Sequence, residues 1–241
     1  MATFVLVHGA WHGGWCWERV EPLLRAHGHR VLTPTLTGLG ERAHLVSPQV
    51  GLDTHVDDVV RGIDLLAGRE QVVLVGHSYA GQVIAGAASR RPERIYQLVY
   101  LDAFVPDDGE AAIDLQPAQI AHHYREAVRE HGFGWLIPPR SLEVLGVSDV
   151  EDLEWLAPRL VPHPFKTYTD RAEVSATSLA LPSAFVECVD WMRVFEPGAQ
   201  RAAARGWPVH ELATGHEAMV TAPADLAGVL ERLLDAVGAV S

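Results

Sequence analysis

Apolar residues in this chain fall into short unbroken runs, separated by stretches with helical spacing. Phe4 to Val7 is continuous and ends at His8-Gly9, which predicts a strand buried on both faces. Trp17, Val20, Leu23 and Leu24 then follow a helical period up to Gly28, with Pro22 placing the helix start late. Arg30 to Leu36 predicts a second strand, interrupted by Pro34, and Leu39 to Gly51 has no period and reads as a loop. Thr54 to Asp57 has the form of a capping box with aspartate in the glutamate place. The helix face behind it is Val56, Val59, Val60, Ile63 and Leu66, with Gly68 as the stop. Gln71 to Val75 predicts a buried strand, Gln82 to Arg90 a helix of small residues, and Tyr96 to Leu101 another strand.

The alternation then lapses. From Phe104 to about Pro182, helix-like pieces are separated by Pro117, Pro138-Pro139, Pro158, Pro162 and Pro164. It resumes with a strand at Ala184 to Val189, a helix at Gly198 to Arg205 and a strand at Pro208 to Leu212. A last helix begins near Thr221, with Pro223 in its first turn and an apolar face of Leu226, Val229, Leu230, Leu233 and Leu234. Repeated strand–helix units predict one α/β domain over 1–241, with a mostly parallel sheet of about six strands and helices on both faces. Its core spans 1–103 and 183–241, and 104–182 is a helical cap inserted into it.

Composition narrows the function. The formal net charge of −12 opposes non-specific nucleic-acid binding and docking on anionic membranes. Two cysteines, Cys16 and Cys188, make no disulfide framework, and no apolar run reaches the ~18 residues of a membrane span. The opening MATFVLVHGA lacks the form of a signal peptide, so a cytoplasmic location is expected.

Four stretches carry candidate chemistry. Val72 to Gln82, VVLVGHSYAGQ, runs a strand into a turn with Ser78 at its tip. A serine there stands above the sheet edge, and the next backbone N–H faces any oxyanion formed. The pattern Gly-x-Ser-x-Gly is incomplete, because Ala80 stands where the last glycine is usual and Gly81 follows. After the first strand, His8 to Trp15 is a glycine-rich loop whose Ala10 N–H pairs with that of Tyr79 as a candidate oxyanion hole. Glycines around His8 and His12 oppose a helix that would align them on a metal, and no metal is expected. His216, in the loop after the last strand, is the candidate base; its rival His210 lies within a strand. Chain order requires an acid between serine and histidine. Asp190, after the strand ending at Val189, is preferred, and Asp102, after Leu101, is the rival. Serine needs a base to take its proton, and the acid holds that base in the right tautomer. No organic cofactor is needed for this chemistry.

With these elements in order, the chain resembles the α/β-hydrolase superfamily over essentially its full length. VLVHGAWHGGWCW and GHSYAGQ are similar to the branch holding plant methyl esterases, hydroxynitrile lyases and bacterial esterases. LTPTLTGLGERAHL and LVYLDAFVPDDGE resemble bacterial hydrolases of the carbendazim-hydrolysing kind. The resemblance implies the α/β-hydrolase fold, a triad of Ser78, Asp190 and His216, and a small ester or carbamate substrate. Lyases of this branch carry threonine where this chain has Gly9 and lysine where it has Glu217, and both departures favour hydrolysis. A slow-turnover receptor on the same fold is the remaining reading from a different class.

Trp11, Phe104, Trp135, Trp155 and Met219 are candidate substrate-pocket walls, since each sits beside a catalytic element or in the cap. Together with Tyr79 they point to an apolar or aromatic substrate group. His122-His123 and His163 read as surface histidines, and Asp107-Asp108 with Glu110 as a solvated turn. Partners are limited to the small-molecule substrate, with a homodimer allowed.

Overall fold

A computed structural model describes residues 1–68 and 70–238 of the chain. The apolar runs form the strands β1 (Thr3–Val7), β2 (Arg30–Leu32), β3 (Val72–His77) and β4 (Ile95–Leu101). Within the insertion lie β5 (Leu136–Ile137) and β6 (His163–Pro164), and after it β7 (Ser183–Cys188) and β8 (Val209–Leu212). Six of these make one sheet in the order β2-β1-β3-β4-β7-β8, with every neighbouring pair parallel. This is the α/β-hydrolase fold expected from the sequence. β1, β3 and β7 are buried along their whole length, because helices cover both faces of a parallel sheet and leave no polar side. Register sets Val7 opposite Gly76 and His77 opposite Leu101. β3 and β4 therefore end level, at Ser78 and Asp102, and β1 ends one residue short of them, at His8.

Local departures have physical causes. β2 stops at Leu32, ahead of Pro34, which has no N–H to donate. The helix expected after Thr54 begins earlier, at Leu52–Leu66, so Thr54 lies in its first turn and not at its cap. The Leu52 N–H is taken instead by Asp170 Oδ2 at 3.0 Å, a partner 118 residues away. The insertion contributes helices such as Ala118–His131 and Val150–Leu156, the short β5–β6 antiparallel pair and an isolated antiparallel bridge between Ala111 and Arg171. Asp107 and Glu110 do not form a freely solvated turn, because Arg201 and Arg205 on the helix side clamp them. Among the described residues no helix is long and apolar enough to cross a membrane. Both cysteines are buried and free.

The turn from β3 into the helix Ala80–Arg90 resolves the missing glycine. Ser78 has φ 57°, the left-handed conformation of a sharp elbow. A Cβ on Gly76 would lie 2.8 Å from the Ala80 carbonyl oxygen and 2.9 Å from Ile84 Cγ2. A Cβ on Gly81 would lie 1.9 Å from the carbonyl oxygen of Phe104, whose N–H donates to Ser78 O at 3.2 Å. Glycine is therefore demanded at 76 and 81, while the Ala80 methyl is fully buried and accommodated. Gly81→Ala is expected to destabilise by about 3 kcal/mol, the upper end of overpacking costs. Ala80→Gly should cost only about 1 kcal/mol, its loss of helix propensity. Chemical denaturation of both variants ranks the positions; the reverse order would refute this packing.

Histidines are built into the interior. His163, expected at the surface, is completely buried beside His55, Tyr79 and Tyr168. His55 donates from Nε2 to Thr37 O at 2.9 Å and accepts at Nδ1 from Tyr79 Oη at 3.0 Å. Burial pushes His8 down to about 3 and His55 to about 4, and holds His77 and His163 well below the usual value. In the unfolded chain each titrates near ~6.5, so as pH falls below that the unfolded state binds protons first and stability drops. His8 and His55 each contribute a loss of up to about 2 kcal/mol between pH 7 and pH 5. Guanidinium unfolding at pH 7 and pH 5 should show this loss. His55→Gln, which keeps a donor and an acceptor, should shrink it by about 2 kcal/mol; an unchanged difference would refute the assignment.

Candidate active site

Three strands supply the groups: β3 and β4 are each followed at once by a residue of positive φ, and the loop after β1 carries one at Trp11. Trp11, Ser78 and Asp102 have φ of 66°, 57° and 42°, three of only five non-glycine residues with positive φ among those described. Such strain persists where surrounding structure over-determines it. Here each turn lifts a group above the edge where β1, β3 and β4 end.

The acid that meets His216 is Asp102. Its Oδ2 accepts from His216 Nδ1 at 2.6 Å, and its Oδ1 lies 3.3 Å from the Cys188 N–H. Asp102 has no exposed surface, and its own N–H donates to Val186 O at 2.7 Å. Burial raises its carboxyl above the usual range, and the His216 hydrogen bond opposes that rise. Asp190, the acid preferred from spacing, is exposed, and its N–H donates to Thr214 O. The reason is topological. β4 lies directly beside the serine strand β3, and the loop after β8 folds back over the ends of β7 and β4. The end of β7 turns outward at Asp190.

His216 is fixed on several sides. Its backbone N–H donates to Leu145 O of the insertion at 2.9 Å, and its carbonyl accepts from His77 Nε2 at 3.0 Å. The ring of Phe195 stacks on the imidazole at 5.1 Å, and those of Trp191 and His77 lie at 4.6 and 4.4 Å. With Nδ1 engaged by Asp102, Nε2 is the nitrogen left for proton transfer. Ser78 and His216 line one small cavity, of about 20 Å3, room for roughly one water.

The loop after β1 is held by its own histidines. His8 accepts the Leu36 N–H at Nε2 (3.1 Å), so its Nδ1 carries the proton that is given to Gly9 O at 2.8 Å. The Gly9 carbonyl belongs to the same peptide as the Ala10 N–H, so turning one inward sends the other outward. Among the described residues no protein group accepts from the Ala10 or Tyr79 N–H. Gly9 allows this close approach, since a Cβ there would lie 2.9 Å from Ser78 Cβ. Glu217 is buried and faces His12, away from the cavity.

Of the expected wall residues only Trp11 lines the cavity. Its indole Nε1 donates to Ile137 O at 3.1 Å. Phe104 packs against Phe195 and Tyr168, and lines a neighbouring cleft. Trp155 packs against Trp15 and under Arg19. Met219 is buried in the short helix Ala218–Thr221, and Trp135 is half-buried; neither reaches the cavity. The walls are instead Tyr124, Tyr168, Trp191 and Phe195, with Gln116 and Arg140 as the polar members. Trp191 and Phe195 directly follow β7 at the same sheet edge, a signal open to sequence reading. Tyr124 and Tyr168 arrive by folding of the insertion, which leaves none.

Comparison with known proteins agrees with this architecture. Residues 4–229 match the model of the Alpha/beta hydrolase family. The chain is 39% identical to the carbendazim hydrolyzing esterase of Nocardioides sp. (strain SG-4G), over 97% of this chain and all of that protein. It is 41% identical to methylesterase 1 of Arabidopsis thaliana over 43% of this chain and 40% of that one. An extracellular α/β-hydrolase from a Paenibacillus species superposes with TM-score 0.84 at 22% identity, covering 97% of this chain and 99% of the other. From the matched residues and the near full-length identity, the chain belongs to the α/β-hydrolase family.

Proposed function

We propose that this protein is a serine hydrolase of small carboxylic esters or carbamates. The observation that carries the reading is that Ser78 and His216 line one small cavity, with Asp102 bound to His216 Nδ1 behind them, beside two N–H groups without acceptors. His216 Nε2 takes the Ser78 proton as Oγ attacks the carbonyl carbon. The Ala10 and Tyr79 N–H groups receive the developing oxyanion. His216 then returns the proton to the leaving alcohol or amine, and Asp102 stabilises the imidazolium between the two transfers. Water repeats the cycle on the acyl-enzyme and frees Ser78.

Esters and carbamates both present a carbonyl bonded to a leaving heteroatom, so one mechanism serves both. The kinship with an esterase that hydrolyses carbendazim supports testing carbamates beside esters. Aromatic walls favour a flat apolar group, and the space for one water requires insertion side chains to yield before it enters. Gly9 pressed against Ser78 and Glu217 turned from the cavity both favour hydrolysis over cyanohydrin cleavage.

With an aryl-ester panel, Ser78→Ala should lower kcat on the order of 10⁴–10⁶-fold; undiminished turnover would sink the assignment. Asp102→Asn should lower kcat about 10⁴-fold, because amide substitution favours the wrong histidine tautomer. Asp190→Asn should leave kcat within about twofold, far inside the loss expected when a triad member goes. A large loss in Asp190→Asn with none in Asp102→Asn would return the acid to the end of β7.

A further inference from the structure

His12 and Glu217 lie just behind the site, and the catalytic cycle does not use either. Both are about 1% exposed, and His12 Nε2 approaches Glu217 Oε2 at 3.3 Å. Neither atom has a hydrogen-bond partner among the described residues, so the 3.3 Å contact between them is the only polar one either makes. His12 Nδ1 sits 2.6 Å from the Ala10 carbonyl oxygen, which can only accept, so Nδ1 carries a proton. If the imidazole were neutral and Glu217 ionised, two lone pairs would face each other in a site closed to water. A buried acceptor left unpaired is destabilising, and more so when it is charged. A proton between Nε2 and Oε2 removes that cost, whichever of the two holds it.

We propose that His12 and Glu217 share one buried proton and act as a positioning pair for the oxyanion hole. This rests on the serine-hydrolase reading above. The shared proton fixes the His12 ring with Nδ1–H toward Ala10 O. His8 holds the carbonyl of Gly9 in the same way. Both carbonyls flanking the Ala10 N–H are thereby bound on the protein side, which leaves that N–H for the substrate oxyanion. Glu217 also adjoins His216 in the chain, so the pair ties the oxyanion loop to the catalytic-histidine loop. The two halves of the site, carried on β1 and β8, then keep one spacing.

Three measurements test it. In Glu217→Met, which removes the partner of Nε2, kcat should fall about tenfold to a hundredfold with KM nearly unchanged. That is less than the 10²–10³-fold loss typical of deleting an oxyanion donor. The affinity of an aryl trifluoromethyl ketone, whose serine adduct carries an oxyanion, should weaken in parallel. Glu217→Gln keeps a donor to Nε2 and should retain kcat within about fivefold. Equal losses in the Gln and Met variants, or wild-type kcat in Glu217→Met, would overturn the positioning role. The third measurement needs no mutant to fold unaided: wild-type protein labelled with 15N-histidine should show an exchange-protected, downfield proton bridging His12 Nε2. Its absence would overturn the shared proton. Wild-type protein inert toward every ester and carbamate, yet showing that resonance, would locate the failure in the hydrolase reading and not in the pair.

Discussion

A carboxylate with no exposed surface at the end of a central strand is the constraint on which this site depends. Burying an ionised carboxylate is costly unless its oxygens are hydrogen-bonded. Asp102 finds its partners in His216 Nδ1 and, more weakly, the Cys188 N–H. That requirement holds the loop after β8 over the ends of β7 and β4. It also selects the His216 tautomer, because Nδ1 must donate and Nε2 is left open to accept. The aromatic rings of Trp191 and Phe195 then fix the imidazole plane. One buried carboxylate therefore sets the position, tautomer and orientation of the His216 imidazole.

The strain at the strand ends follows from the same arrangement. β1, β3 and β4 lie side by side and stop within one residue of the same level, so a regular continuation would bury their next side chains in the sheet layers. Positive φ at Ser78 and Asp102 breaks the alternation directly after β3 and β4, and Trp11 makes a similar turn four residues beyond β1. Strained residues cost on the order of 1–3 kcal/mol each. The extensively buried sheet beneath them offsets that cost, and the hydrogen bonds around them leave few alternatives. The Ser78 carbonyl accepts from Gly81 and Phe104, and its N–H donates to Leu101 O. The elbow is held on both sides of the serine, which is why the tight positions are 76 and 81 and not 80.

Most of the sheet was legible because interior parallel strands must be apolar throughout, and turn residues bound them. Ser78 and His216 were legible for the same reason: each follows a strand recognisable by composition. The acid was not. Asp102 and Asp190 both follow strands, and spacing cannot say which strand end the histidine loop folds over; that depends on β4 lying next to β3. The buried histidines were equally hidden. His163 read as a surface residue and His55 only as part of a capping-box stretch; Thr37 and Tyr79 pair both nitrogens of His55, and Thr167 pairs Nε2 of His163. The pocket walls failed differently. Trp135 and Trp155 are aromatic residues of the insertion, but the insertion turns Tyr124 and Tyr168 toward Ser78 instead.

The insertion is also wired into the catalytic parts. Trp11, at the oxyanion loop, donates its indole N–H to Ile137 O and accepts at its carbonyl from the Val161 N–H. At the opposite side, the backbone of His216 hangs on Leu145 O, where Gly146 and Gly215 pack with no room for a Cβ between them. The segment that covers the cavity thus holds both the loop after β1, at Trp11, and the loop that carries His216. The contacts that place the insertion over the cavity are therefore the same ones that hold Trp11 and His216 beside it.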